Sequence, residues 1–288
     1  MKRENKALET VVHGIFLLLG LVTVGCVLLI TCYLVVSGIP AIREIGLRDF
    51  LLAKTWTPTA AEPSYGILPF ILTSVYGTAG AILLGVPVGF MTAVYLAKLA
   101  PQRVKHIMQS AVSLLAGIPS VVYGFFGLVV LVPFVREQFG GRGLSVLTAS
   151  VLLGIMILPT IVSVSESAIR AAPESCYEGA LALGATHERS VFFALLPAAK
   201  SGIFAAVVLG VGRALGETMA VMMVAGNQPV IPEKLTSGVR TLTTNIVLEM
   251  GYSTDLHRQA LIATAVVLFV FILIINLCFS LLKRGPGK

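Results

Sequence analysis

The chain has 288 residues, of which 56% are hydrophobic and only 12% are charged, and its mean hydropathy is +0.93. Soluble globular domains carry about 25% charged residues, so this composition excludes an ordinary soluble domain and indicates a membrane protein. The net charge of +7 does not predict nucleic-acid binding, because the cations follow the connections between apolar runs.

Six apolar stretches are each long enough to cross a bilayer core of about 30 Å, which takes roughly 20 residues. They lack the two-residue alternation of barrel strands, and a helix satisfies its own backbone hydrogen bonds in lipid. We therefore predict an all-α, polytopic protein with six transmembrane helices. The predicted spans are 11–36, 67–97, 107–135, 144–164, 198–225 and 261–282.

The distribution of Lys and Arg predicts which side of the membrane each connection faces. Short connections rich in these residues stay in the cytoplasm. The tight turn at 98–105 carries Lys98, Arg103 and Lys105, and both chain termini are basic as well. We predict a multi-pass protein of the inner (plasma) membrane with both termini in the cytoplasm.

An external segment at 37–65 separates the first span from the other five. It contains Trp56, the only tryptophan, and several prolines. We predict a division into an N-terminal unit, residues 1–64, and a five-helix core, residues 65–288. Trp56 is predicted to be an anchor at the membrane interface, where tryptophan is enriched.

Glycine and proline interrupt several spans. Gly85 and Gly89 flank Pro87 in the second span, and small residues four apart let helices approach closely, so we predict a packing role. For the glycines at 117–127, helix packing and a translocation path remain equally open. Near the end of the chain, an apolar stretch at 242–250 within a mildly polar segment predicts a short external helix.

Two charged side chains, Arg213 and Glu217, lie deep in a predicted span. A spacing of four residues would place them on one helix face, where opposite charges can pair. A charge at mid-bilayer costs on the order of 3 kcal/mol, so such residues face a bundle interior or a wet cavity. Gly212 and Gly216 leave room, and the Arg fork matches phosphate or carboxylate oxygens. We predict a substrate pathway here; a neutralised pair that only locks helices together is the alternative.

The polar segment EGALALGATHERSVFFALLP, residues 178–197, lies between the fourth and fifth spans. Its first part favours a short helix on which Glu174 and Glu178 are one turn apart, and Gly184 is predicted to end that helix. No Lys or Arg lies between Glu174 and His187, which disfavours a helix lying on lipid. We predict that the helix docks into a groove of another protein.

The sequence lacks the usual enzymatic signatures. It contains no phosphate-binding P-loop, no H-E-x-x-H and no G-x-S-x-G pattern. We therefore expect this chain to be no enzyme and to bind no cofactor or metal; if transport uses ATP, another subunit has to hydrolyse it. The histidines are expected to be solvated residues near the membrane edges: His13, His106, His187 and His257.

Three motifs carry a family resemblance. The 178–197 segment resembles the cytoplasmic loop of bacterial ABC importer permeases, whose pattern is Glu-Ala-Ala, three residues, Gly, nine residues, then Ile-x-Leu-Pro. Gly179 and Ala194 depart from this pattern, each with a small residue. The positions in register are Glu178, Ala180, Gly184, Leu196 and Pro197.

Two further sequence motifs restrict the resemblance to fewer permeases: GIPSVVYGFFGL at 117–128 and GRALGETMAV at 212–221. Together with the loop they are similar to the permeases of phosphate ABC importers. The continuation MMVAGN at 222–227 resembles the PstC-type subunit more than its PstA-type sister. The resemblance extends over residues 65–282 and is specific in these three places.

The resemblance implies a MetI-like, type I ABC importer fold and a permease that moves phosphate by alternating access. It implies a PstA-type sister permease, a PstB-type ATPase dimer that uses the ATP, and an extracytoplasmic PstS-type phosphate-binding protein as partners, besides membrane lipid. It makes residues 166–197 the coupling loop against the ATPase and puts Arg213 and Glu217 along the phosphate route.

Three other functions stay open at this point. An ion-gradient-driven secondary anion carrier would usually show a repeated topology, and no second copy of the Arg213–Glu217 string is present. An intramembrane enzyme could use Glu217 as a base, although no nucleophile or metal set is nearby. A purely structural membrane subunit would tolerate joint neutralisation of the two charges.

Overall fold

The computed structural model describes residues 4–283, which form a helical bundle with one short hairpin. Its helices are α1 Glu4–Ile45, α2 Leu47–Leu52, α3 Leu68–Val94, α4 Gln102–Gly117, α5 Ser120–Phe126, α6 Val132–Phe139, α7 Val146–Ala171, α8 Glu174–Ala182, α9 His187–Ser190, α10 Leu196–Gly216, α11 Met219–Val224, α12 Leu242–Met250 and α13 Asp255–Lys283. Three π-helical turns, Tyr95–Leu99, Gly127–Leu131 and Val191–Leu195, extend α3, join α5 to α6, and join α9 to α10. Strands β1 Trp56–Thr57 and β2 Ser64–Tyr65 pair antiparallel.

Within the described residues, six helical stretches are long and apolar enough to cross a membrane. The all-α fold with six spans is therefore confirmed, as is the short helix at 242–250, which is α12. The six stretches are Leu8–Ile45, Leu68–Leu99, Ser120–Phe139, Val146–Ala171, His187–Gly216 and Asp255–Phe279.

The third span differs from the prediction, because 107–135 is not one helix. The chain breaks at Ile118 and Pro119, both of which have extended backbone angles. Proline disfavours helical geometry in the residue before it, so α4 ends there and a new helix starts at Ser120. As a result α4 is a separate helix with no buried residue, and the spanning helix is Ser120–Phe139.

The fifth span also ends earlier than predicted. Helix α10 stops at Gly216, and Glu217 adopts an extended conformation with φ −70° and ψ 123°. The chain then starts the short helix α11 at Met219. The continuous helix predicted over 198–225 is therefore wrong, and the break falls between the two charged residues of that span.

Helices α3 and α7 pack along a seam of glycines. A Cβ atom added to Gly85 would lie 2.7 Å from Ile157 Cγ1 and 2.8 Å from the Gly154 carbonyl oxygen. One added to Gly89 would lie 2.8 Å from Ile161 Cγ2. Any side chain at these positions would displace the neighbouring helix, so the predicted packing role of both glycines is confirmed.

The glycines at 117–127 divide into two groups. A Cβ at Gly124 would lie 2.7 Å from Met223 Sδ, and one at Gly127 would lie 2.8 Å from Val224 Cγ1, so both permit close packing of α11 on the third span. Gly117, in contrast, has no atom within 4 Å of its Cβ position. Of the two roles left open for this stretch, Gly124 and Gly127 therefore serve helix packing, whereas Gly117 borders free space.

Over most of its length, the first span does not pack against the rest of the described chain. The large apolar side chains from Leu8 to Ile30 are exposed. Farther along α1, Ala41 is fully buried, and a Cβ at Gly38 would lie 2.9 Å from Val266 Cγ2 of α13. Lipid or another membrane helix therefore has to cover the first half of α1.

Trp56 is buried in the hairpin region and is only 4% exposed. Its ring makes edge contacts with Tyr65 and Phe70, at centroid distances of 5.8 and 5.6 Å. Burial raises the pKa of the Tyr65 phenol, so that ring stays uncharged at neutral pH. The predicted role of Trp56 as an interfacial anchor is wrong, because other parts of the chain enclose it. The hairpin extends across residue 64, and the division into 1–64 and 65–288 stays a prediction.

We call the two ends of the bundle the α8 end and the α12 end. The α8 end carries α8 and the carboxyl terminus of α7. The α12 end carries the hairpin, α12 and the amino terminus of α7, where the Val146 N–H donates to the Ser237 carbonyl at 3.2 Å. The basic residues at 1–3 and 284–288 lie outside the described residues, and the orientation of the termini stays a prediction.

Candidate functional site

Arg213 and Glu217 lie close in sequence but do not pair. Nη1 of Arg213 donates to Thr160 Oγ1 of α7 at 3.2 Å. Oε1 of Glu217 accepts from the Ala220 N–H at 3.1 Å, at the start of α11. The predicted ion pair is wrong because the helix ends at Gly216, which removes the one-face arrangement that a spacing of four would give.

Arg213 is a half-buried cation with little compensation. Among the residues that the structure describes, the neutral Thr160 hydroxyl is the only hydrogen-bond partner of its side chain. Cβ atoms added to Gly212 and Gly216 would meet nothing within 4 Å, so the helix surface around Arg213 is open, as predicted. Since a guanidinium does not lose its proton in proteins, this arrangement leaves a permanent positive charge available to an anion.

Glu217 borders a small, mainly apolar cavity towards the α12 end that also has a few polar side chains in its lining. The cavity has about 10 Å³ of free volume, which is room for about one water molecule. The Thr73 hydroxyl is buried there and has no hydrogen-bond partner within the described part of the chain. The other polar residues of its lining are Ser74, Thr78 and Thr241. The two charged residues therefore face different surroundings: Arg213 contacts α7, whereas Glu217 borders this cavity.

A buried carboxylate of the fourth span, Glu166, was missed from the sequence because the predicted span ended at 164. Helix α7 continues to Ala171, and Glu166 is only 7% exposed. Its carboxylate accepts from Arg170 and, at 2.7 Å, from Nε2 of Gln109 on α4. The spacing of four between Glu166 and Arg170 was the available signal.

An open cleft of about 430 Å³ lies next to Glu166, between α4 and α7 at the α8 end. Hydroxyl and amide groups make up most of its lining, together with the Glu166–Arg170 ion pair. The lining residues are Gln109, Val112, Ser113, Ser163, Glu166, Ser167 and Arg170.

Another buried carboxylate, Glu249, joins distant segments at the α12 end. It bonds to Trp56 Nε1 at 2.8 Å, to His257 Nε2 at 2.9 Å and to Arg240 Nη1. Arg240 also donates to Asn245 Oδ1 at 3.0 Å. His257 is 8% exposed, so its predicted solvated position is wrong. Within residues 4–283, no group of three or more His, Cys, Asp or Glu is placed to hold a metal ion.

Helix α8 forms the first part of the predicted docking segment and has no buried residue. The chain turns at Gly184, which has a φ of +85° that favours glycine. The Gly184 N–H donates to the Leu181 carbonyl at 2.9 Å, and the Ala185 N–H donates to the Ala180 carbonyl at 3.1 Å. This pair of bonds is the Schellman motif, so the predicted helix end is confirmed.

The segment presents several apolar side chains to the outside. Leu183 is 91% exposed and Phe193 is 78% exposed, and Glu178 is exposed as well. Leu196 and Pro197 begin α10, where Leu196 is buried and Pro197 is exposed. Exposed apolar side chains in a segment with polar residues are typical of a protein interaction site.

Polar contacts attach α8 to the rest of the bundle. Lys98, in the turn after α3, forms an ion pair with Glu174 at 2.6 Å and lies 4.9 Å from the centre of the Tyr177 ring. Tyr177 in turn hydrogen-bonds to His187 of α9. These contacts connect α8 with the turn after α3 and with α9.

Residues 85–286 match the family described as the inner membrane component of binding-protein-dependent transport systems. The chain belongs to this family. It is 40% identical to a probable ABC transporter permease, YqgH of Bacillus subtilis, over 95% of this chain and 92% of the relative. It is 33% identical to the phosphate transport system permease PstC of Haemophilus influenzae, over 96% of this chain and 93% of the relative.

Solved structures agree with this family on the fold. The chain is similar to an inward-facing MetNI methionine ABC transporter with a TM-score of 0.61 at 20% identity, covering 77% of this chain and 96% of the other. A bacterial ABC importer of alginate gives 0.58 at 14% identity, covering 98% and 100%. The MetI-like type I importer fold is confirmed.

Family membership also restricts the functions that this chain can have. The chain is a multi-pass, inner-membrane permease subunit of an ABC importer, and the relatives are permeases rather than catalytic subunits. ABC importer permeases work with ATPase subunits and a binding protein. The gradient-driven carrier and the intramembrane enzyme are therefore set aside.

Proposed function

We propose that this chain is the PstC-type permease subunit of an ATP-driven importer that passes inorganic phosphate across the inner membrane by alternating access. The observation that carries the proposal is Arg213, a cation within the bundle whose side chain bonds to one neutral hydroxyl. The phosphate transport permease of Haemophilus influenzae, which is 33% identical, supports phosphate as the cargo.

Arg213 suits a transient anion contact. Its planar fork can donate two parallel hydrogen bonds to phosphate oxygens, and such charge-assisted bonds are about twice as strong as neutral ones. Binding phosphate would replace the single bond to Thr160, so little protein structure has to break. The charge on Arg213 is permanent, so the guanidinium stays a donor for either ionised form of phosphate.

Glu217 has a different role in this proposal. An ionised carboxylate only accepts hydrogen bonds, so it can bind a phosphate that still carries a proton and repels an anion of similar size that carries none. Its position at the break between α10 and α11 also lets the two helices move separately. Glu217 would thus select the protonated form as the anion passes from the α12 end to Arg213.

The α8 segment is proposed to be the coupling element. Glu178, Ala180 and Gly184 would lie in a groove of a PstB-type ATPase dimer, with the exposed apolar side chains Leu183 and Phe193 supplying contact area. The α8 end and both termini then face the cytoplasm. No cofactor is bound by this chain, since the ATP belongs to the partner.

The remaining partners follow from this orientation. A PstS-type binding protein delivers phosphate at the α12 end, and a PstA-type sister permease completes the pathway and, together with lipid, covers exposed apolar surface. ATP binding closes the ATPase dimer, moves α8 and opens the α12 end. Hydrolysis returns the bundle to the inward-open state.

The test is phosphate uptake by proteoliposomes that contain all subunits and the loaded binding protein. Arg213→Gln is expected to lower the initial rate by about tenfold or more, since a charged hydrogen bond contributes about 1.5–3 kcal/mol. Lys200→Gln, which removes an exposed cation from the same helix, is the matched control and should transport normally.

Two results would contradict the proposal. Unchanged phosphate uptake by Arg213→Gln, with the variant fully assembled, would remove Arg213 from the pathway. Uptake by the wild-type permease that needs an ion gradient but no ATPase subunit would contradict the coupling role of α8.

A further inference from the structure

We propose that the cleft between α4 and α7 is the exit for the transported anion, in which the hydroxyls of Ser163, Ser167 and Ser113 replace part of its hydration shell. This inference rests on the proposed function, because it begins where the anion leaves Arg213. It assigns a role to residues of the fourth span that none of the family motifs contains.

The first observation is the line of hydroxyls on α7. Thr160, Ser163 and Ser167 follow one another at spacings of three and four residues. At 3.6 residues per turn they lie within about 60° of arc and descend about 10 Å along the helix. Thr160 contacts Arg213, so the line begins at the proposed anion contact and runs towards the α8 end.

The second observation is that this line enters an open space. The cleft of about 430 Å³ is lined by Ser163 and Ser167 of α7 and faces Ser113 of α4. All three serines are exposed. In the described part of the chain, the hydroxyls of Ser163 and Ser113 have no protein partner, while Ser167 donates to the Ser163 carbonyl at 2.8 Å. The cleft therefore presents unused hydrogen-bond donors, which phosphate oxygens require.

The third observation concerns the charges in the cleft. A free carboxylate at an exit would repel an anion, and a free cation would hold it. Glu166 and Arg170 form an ion pair, and Gln109 donates to the same carboxylate oxygen at 2.7 Å. The pair leaves the cleft close to neutral, so neutral donors dominate its lining.

Neutral hydroxyls have the properties that an exit needs. A path that conducts has to bind its cargo well enough for entry and weakly enough for release. Arg213 supplies the strong contact, and the serines supply successive weaker ones. The anion is thereby passed to the cytoplasm without a second tight site, and Glu166 keeps Arg170 from forming one.

The first experiment measures phosphate uptake by the complete importer in proteoliposomes. Ser163→Ala/Ser113→Ala, which removes the two unused donors, is expected to lower the initial rate by roughly fivefold to thirtyfold, the effect of two hydrogen bonds of ordinary strength. ATP hydrolysis stimulated by the loaded binding protein should continue. The matched control is Ser110→Ala/Ser201→Ala, which removes two exposed serines that do not line the cleft.

The second experiment tests the cleft by charge-selective labelling. With the four native cysteines replaced by serine, Ser163→Cys is treated with an anionic or a cationic methanethiosulfonate reagent from the cytoplasmic side. Because the cleft is close to neutral, the two reagents should react at similar rates relative to Ser110→Cys, and inorganic phosphate should slow both.

The outcomes separate this inference from the proposed function. Full uptake by the double alanine variant, while uptake by Arg213→Gln is lowered, would overturn the exit route alone. Faster reaction of the cationic reagent, or labelling that phosphate does not slow, would overturn it as well. If Arg213→Gln also transports normally, the proposed function fails first.

Discussion

The cluster around Glu249 and the break around Arg213 handle charge in opposite ways. At the α12 end, Glu249 receives bonds from Trp56, Arg240 and His257, and each of these side chains is largely buried. At the break, Arg213 bonds to the hydroxyl of Thr160. A charge that the chain itself compensates holds segments together, whereas a charge that it leaves uncompensated is available to a ligand.

The same contrast separates the glycines. Those of the α3–α7 seam, such as Gly85, touch the opposite helix so closely that a methyl group would not fit. Those next to Arg213, such as Gly212, face open space. One group serves packing and the other leaves room, so substitutions at matched positions can distinguish a structural part of the molecule from a transport part.

The largest effect on stability is expected at Glu249. Glu249→Gln leaves the buried Arg240 without its countercharge, and breaking a buried ion pair on one side costs about 3–5 kcal/mol. We expect a clear drop in the thermal unfolding midpoint of the importer purified in detergent. Arg213→Gln should leave that midpoint unchanged, because its partner is neutral. Equal unfolding midpoints for Glu249→Gln and Arg213→Gln would contradict this difference between a compensated and an uncompensated charge.

A smaller effect is expected in the glycine seam. The added methyl of Gly85→Ala would lie 2.7 Å from Ile157 Cγ1, and overpacking of this kind costs about 1–3 kcal/mol. Gly212→Ala has no such contact, and alanine is favoured over glycine in a helix by up to about 1 kcal/mol. The unfolding midpoint should therefore fall for the first variant only. A stable Gly85→Ala would show that the seam can open.

Features decided by neighbouring residues were predictable from the sequence. The six spans depend on local hydropathy, and the end of α8 depends on Gly184 and the carbonyls just before it. The packing role of Gly85 and Gly89 followed from their spacing. In each case the sequence signal lies within a few residues of the feature, even where, as for Gly85, the contact is with another helix.

Features decided by distant contacts were not predictable. Trp56 and Glu249 are 193 positions apart, so nothing near Trp56 indicates that its indole N–H has a buried partner. The break after Gly216 was also missed, although the contact found there is local: the Glu217 side chain accepts the Ala220 N–H. The spacing of Arg213 and Glu217 predicted an ion pair that the structure does not contain, and their place along a substrate pathway stays a prediction.

The smallest effect is expected in α8, where the chain leaves surface for a partner. Gly184→Ala places a side chain at a φ of +85°, which costs about 1–2 kcal/mol, but in a turn that no other element packs against. The global unfolding midpoint should hardly change, while ATP hydrolysis stimulated by the binding protein should fall, because the helix end loses its geometry. Gly179→Ala, at a helical position with free space, is the control and should hydrolyse normally. A loss of stimulation in both variants would mean that any added methyl disturbs the docking surface, and a loss in neither would mean that the end of α8 does not touch the ATPase.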